Sequence, residues 1–115
     1  MTEQINWTNG QPMGVHPEFG ALLRRARVAA KLSMRALAVE VGVSTTYISH
    51  LEAGRARPAL AMTRRLARAC LADEDEFIIL ARYLPGDVAA ILYEHPKQAV
   101  AMLRESFVGY GRGRE

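Results

Sequence analysis

A single cysteine, Cys70, among 115 residues excludes an intramolecular disulfide and any cysteine-based metal cluster. It falls in the apolar stripe of a predicted helix and is expected to be a buried structural thiol. The three histidines, His16, His50 and His95, are scattered without metal-ligand spacing, so no metal site is expected. No apolar run approaches the roughly 20 residues that span a bilayer, and no signal-peptide hydrophobic segment opens the chain. A soluble, cytoplasmic protein with no membrane partner is the expectation. Strand-like alternation and internal repeats are also missing, and no Gly-rich phosphate loop follows a strand. The acidic run Asp73-Glu74-Asp75-Glu76 suits the start of a helix better than a metal site. Neither catalysis nor a cofactor is expected.

What remains is helical and unevenly charged. From Glu18 to Leu71 there are ten Lys/Arg against three Asp/Glu, whereas from Ala72 to Glu115 there are five against eight. The first part therefore suits a polyanion partner, and the second does not. Thirteen of the fifteen basic residues are Arg, which favours bidentate contacts to phosphate and guanine.

The stretch MRALAVEVGVSTTYISHLEA, Met34 to Ala53, carries the sharpest signal. Leu37, Val41, Ile48 and Leu51 form one apolar seam for two short helices meeting at a tight turn. Ala38 is small where the helices cross. Gly42 stands where the chain leaves the first of them with positive φ. Ser44 offers a hydroxyl cap to the second, as Ser33 does to the first. That arrangement is a helix-turn-helix, whose second helix commonly enters the DNA major groove.

From Phe19 to about Leu71 the chain resembles the lambda-repressor-like, or Cro/C1 (XRE), helix-turn-helix domain. LSMRALAVEVGVS and YISHLEAGRARP are the specific parts of that resemblance. It implies an all-α, five-helix DNA-binding domain and base contacts from Thr45, Thr46, Ser49 and His50. Thr methyls can pack on thymine methyl groups and the hydroxyls can bond to several bases. The reading helix contains no Arg, Gln or Asn, so direct readout from it is expected to be modest, with specificity drawn from Arg35, Arg55 or Arg57, or from DNA shape. Helix-start N–H groups and nearby cations assign Ser33, Met34, Arg35, Ser44, Arg55 and Arg57 to the phosphate backbone. Tyr47 either joins them or packs toward the first helix. Arg27 and Glu52 match a family ion pair and are expected to be structural.

Further along, Ala59 to Leu71 predicts a fourth helix, with Arg64, Arg65 and Arg68 largely outward. Another begins at Asp73, a short one is capped by Asp87, and a last one opens at Pro96. The expected organisation is a flexible arm over 1–17, the DNA-binding domain over 18–72, a helical extension over 73–108 and a flexible basic tail over 109–115. Phe77, Ile78, Leu80, Ile91, Leu92, Leu103 and Phe107 give the extension a broad apolar surface. A homodimer across a two-fold axis would bury it and set two reading helices on one face of double-stranded DNA. A docked protein, an antitoxin's toxin or a regulatory protease, competes for the same residues. A dimeric repressor at an inverted-repeat operator is the expected function, with an autoregulating antitoxin as the alternative.

Overall fold

The computed structural model describes residues 16–109, together with two short strands upstream. These are β1 (Trp7–Thr8) and β2 (Gln11–Pro12), antiparallel, with Trp7 opposite Pro12 and Thr8 opposite Gln11. The rest of the expected arm before His16, and the tail beyond Gly109, lie outside the described residues.

The chain forms two compact units that meet between Tyr83 and Leu84. The first holds α1 (Pro17–Ala29), α2 (Met34–Val41), α3 (Thr45–Glu52), α4 (Leu60–Ala69) and α5 (Glu74–Leu80). Its core joins Phe19, Leu22 and Leu23 of α1 with Leu37, Ala38 and Val41 of α2 and Ile48 and Leu51 of α3. Leu66, Ala67 and Cys70 close it from α4, and Phe77 and Ala81 from α5. The rings of Phe19 and Phe77 meet edge to face, with centroids 5.6 Å apart. Thr63 is fully buried because its hydroxyl donates to the Ala59 carbonyl one turn back, at 2.9 Å.

This core moves the boundary expected at 72/73. α5 packs on α1 and α4 and completes the first unit, so Phe77 and Ile78 are buried and Leu80 is half-buried. None of the three is the open dimer surface that amphipathicity suggested. An apolar face is the same in sequence whether the chain's own core or a partner covers it.

All five helices of this unit end in the same pair of backbone bonds, a Schellman turn. The left-handed residue is glycine only at Gly42 and Gly54, with φ of 77° and 78°. It is Lys31, Leu71 and Arg82 at the ends of α1, α4 and α5, with φ of 62°, 55° and 72°. Leu71 thus lies beyond α4, which the sequence pattern extends to it.

The second unit comprises α6 (Gly86–Glu94) and α7 (Pro96–Ser106). Pro85 precedes α6 at the capping position, and Asp87 lies inside the first turn, where its Oδ1 accepts from the Val88 N–H. Asp87 is therefore not the helix cap. Ile91, Met102, Leu103 and Phe107 are more than half exposed, while Leu92 is half-buried.

Candidate nucleic-acid interface

Local capping sets the α2–α3 corner. Ser33 Oγ accepts from Ala36 N–H at 2.9 Å and Ser44 Oγ from Tyr47 N–H at 3.0 Å. Each hydroxyl satisfies one of the donors a helix start leaves open. Between them Gly42 turns the chain, with Val43 N–H returning to the Ala38 carbonyl at 2.9 Å. Ile48 and Leu51 are fully buried. The opposite side of α3 presents Thr45, Thr46, Ser49 and His50, all exposed. Their offsets of one, four and five residues place them on one face.

Three ties fix how α3 is held. Gly20 lets α1 and α3 touch backbone to backbone: a Cβ there would stand 2.5 Å from the Glu52 carbonyl oxygen and 2.7 Å from that of Leu51. Arg27 binds Glu52 through two bonds, Nε to Oε2 at 2.5 Å and Nη2 to Oε1 at 3.1 Å, and Nη1 donates to the Leu32 carbonyl at 2.9 Å. Their side chains are only 12% and 6% exposed. The Glu52 hydrogen bond and charge raise the Arg27 pKa above its ordinary value, against the effect of burial. Beyond the helix, Gly54 O accepts from the His16 N–H at 2.9 Å, and a Cβ on Gly54 would meet His16 and Pro17 backbone at 3.2 Å.

The expected backbone contacts divide. Arg35 and Arg55 are exposed beside the corner, and Ser33 and Ser44 sit at the two helix starts. Met34 is half-buried against the core, leaving its backbone rather than its side chain to face outward. Tyr47 is also half-buried against the core; burial, then the neighbouring Tyr83, pushes its phenol above the usual range. Arg57, like Arg35 and Arg55, is exposed, and it is also bonded into the fold. Its Nε donates to the Ala81 carbonyl at 2.9 Å and its Nη2 to the Arg82 carbonyl at 2.8 Å. The guanidinium also lies 3.8 Å from the centroid of the Tyr83 ring.

Sequence reasoning passed over the bond of a second arginine. Arg65 is exposed, as expected, and its Nη2 also donates to the Val41 carbonyl at 2.7 Å, tying α4 to the last residue of α2. Nothing local marks it, because its acceptor is a backbone atom 24 residues away. Cys70 is buried, and that burial raises its thiol pKa, partly opposed by Arg27. A low-pKa, exposed redox thiol is the opposite environment.

Among the described residues, no cluster of His, Cys, Asp and Glu could hold a metal ion, and no helix is long and apolar enough to cross a membrane. The helix-turn-helix domain family matches residues 18–77. Among solved structures, the restriction-modification controller protein C.AhdI from Aeromonas hydrophila is 31% identical, with a TM-score of 0.50 over 53% of this chain and 92% of that one. The clp gene regulator ClgR from Corynebacterium glutamicum is 30% identical, with a TM-score of 0.52 over 57% and 86%. A second ClgR structure extends the likeness in fold to 81% of this chain and 93% of its own, at 24% identity and a TM-score of 0.53. No curated protein sequence matches.

Proposed function

The chain belongs to the helix-turn-helix domain family, in its Cro/C1 (XRE) type, and on that premise we propose that this DNA-binding regulator is a homodimeric repressor at an inverted-repeat operator. The observation that carries the reading is the exposed face of α3. Thr45, Thr46, Ser49 and His50 stand on a helix whose opposite side is fully buried. Capped helix starts lie at Ser33 and Ser44, with Arg35 and Arg55 close by in the chain. The helix starts and arginines would grip phosphates and set register, while the α3 face would meet base edges.

Dimerisation would use the second unit. Two helices alone cannot enclose a core, and Ile91, Met102, Leu103 and Phe107 are left substantially exposed. Covering them with a second copy would generate two reading helices, about 34 Å apart, for two half-sites. Repression would follow from occluding the promoter.

The test is selection of bound duplexes from a random pool at about 150 mM salt, where non-specific attraction is weak. An enriched inverted repeat with half-sites about one helical turn apart supports the proposal. Thr46→Ala with His50→Ala should abolish that enrichment while the fold melts unchanged. Enrichment of a single half-site, or none, overturns the dimeric-operator reading.

A further inference from the structure

The loop from Ala53 to Ala59 leaves the reading helix and carries two arginines that face opposite fates. Arg55 follows directly from the end of α3, its N–H bonded to the His50 carbonyl at 2.9 Å, and its side chain is exposed. Arg57, two residues on, caps the carbonyl end of α5, where the helix dipole and unpaired carbonyls favour a cation. Tyr83 completes the arrangement. Its ring lies under the guanidinium, and its hydroxyl donates back to the Pro58 carbonyl at 2.8 Å. The loop is thus held from both sides, Arg57 reaching out of it and Tyr83 reaching into it. Proline at 58 adds a fixed φ, and that residue is fully buried.

We infer that Arg57 and Tyr83 are positioning residues for DNA binding, clasping the loop so that Arg55 is held beside the reading helix, and that Arg57 itself makes no phosphate contact. The inference rests on the DNA-binding reading above. Two of the guanidinium's donor atoms are already directed at carbonyls and its face at a ring. Turning Nε or Nη2 to a phosphate would break a carbonyl bond and uncap α5.

A direct contact and a clasp differ in their salt dependence. Each cation on a phosphate contributes about one unit to the slope of log affinity against log salt. The full chain is titrated with a mixed-sequence duplex of about 30 base pairs, roughly three helical turns, over a series of KCl concentrations, and each variant's melting is recorded. Arg57→Met should weaken binding about tenfold, as loss of a charge-assisted bond would, and added to Arg55→Met it should leave the slope unchanged. Arg55→Met should lower the slope by about one. Arg57→Lys should fail to restore affinity, since an ammonium cannot bridge two carbonyls and stack on a ring. Tyr83→Phe, a milder change, should weaken binding in the same direction and add little to Arg57→Met.

A slope lowered by about one more when Arg57→Met is added to Arg55→Met, or full rescue by lysine, overturns the inference while leaving DNA binding intact. Unchanged affinity in folded Tyr83→Phe overturns it too. If the unaltered chain fails to bind the duplex, the DNA-binding reading falls first and the inference with it.

Discussion

The absent Cβ of Gly20 and the carbonyl of Glu52 occupy the same space: a methyl at residue 20 would stand 2.5 Å from that oxygen. The obstacle is backbone on the neighbouring helix, which cannot rotate away as a side chain would. Gly20→Ala should therefore force α1 from α3 and cost about 2–3 kcal/mol, the scale of overpacking a filled core. Denaturant unfolding measures it. A stability equal to that of the unaltered chain would show that the two helices part without cost.

Glu52 is also the partner of Arg27, and removing it is expected to be worse than removing both. Glu52→Ala leaves a guanidinium with 12% exposure facing no carboxylate, a loss of about 3 kcal/mol. Arg27→Met combined with Glu52→Leu avoids the stranded charge and should recover part of that stability. Thermal melting of both variants provides the check, and an unchanged melt for Glu52→Ala would remove its structural role.

Leu71 holds a left-handed conformation with φ 55° while its side chain is 89% exposed. Leucine gains little there and bears the steric cost of αL. Leu71→Gly should stabilise the chain by about 0.5–1 kcal/mol. Gly42→Ala, the reverse exchange at φ 77°, should destabilise it by about 1 kcal/mol although the nearest atom is 3.6 Å away. Opposite shifts in Tm are the expected readout.

His16 gives the fold a pH dependence of defined sign. Its Nδ1 is buried and has no hydrogen-bond partner among the described residues. Burial, then Arg57 and Arg82, lower its pKa from 6.5, with Glu18 opposing. The unfolded chain therefore binds this proton more readily than the folded one. Stability is full above the ordinary value and is lost as pH falls from 6.5 through the lowered value. His16→Asn keeps the backbone bond to Gly54 and should flatten stability against pH below neutrality. An unchanged pH profile would exclude this residue as the source.

The parts of this fold legible in sequence are those built from near neighbours. The Ser33 and Ser44 caps act over three residues, and Gly42 acts on its own backbone. The seam of Leu37, Val41, Ile48 and Leu51 repeats at helical spacing, and those four residues are buried. Arg27 and Glu52 lie 25 residues apart and were paired only through family resemblance. The bonds of Arg57 and Arg65 are illegible in sequence for a related reason. Their acceptors are main-chain carbonyls at the ends of distant helices, and a carbonyl leaves no trace in residue type. Phe77 was assigned to an outer surface because amphipathicity reports that a face is covered and not by what.

The contact of Phe77 with Phe19 also sets an order of events at the ribosome. Chains emerge N-terminus first and domains generally close as units. Here the whole helix-turn-helix is synthesised by Ala53, yet α5, which completes the core, ends only at Leu80. During that interval α1 holds half of an aromatic pair whose other half has not been made. The helix-turn-helix thus exists as sequence well before the core that makes it rigid can close.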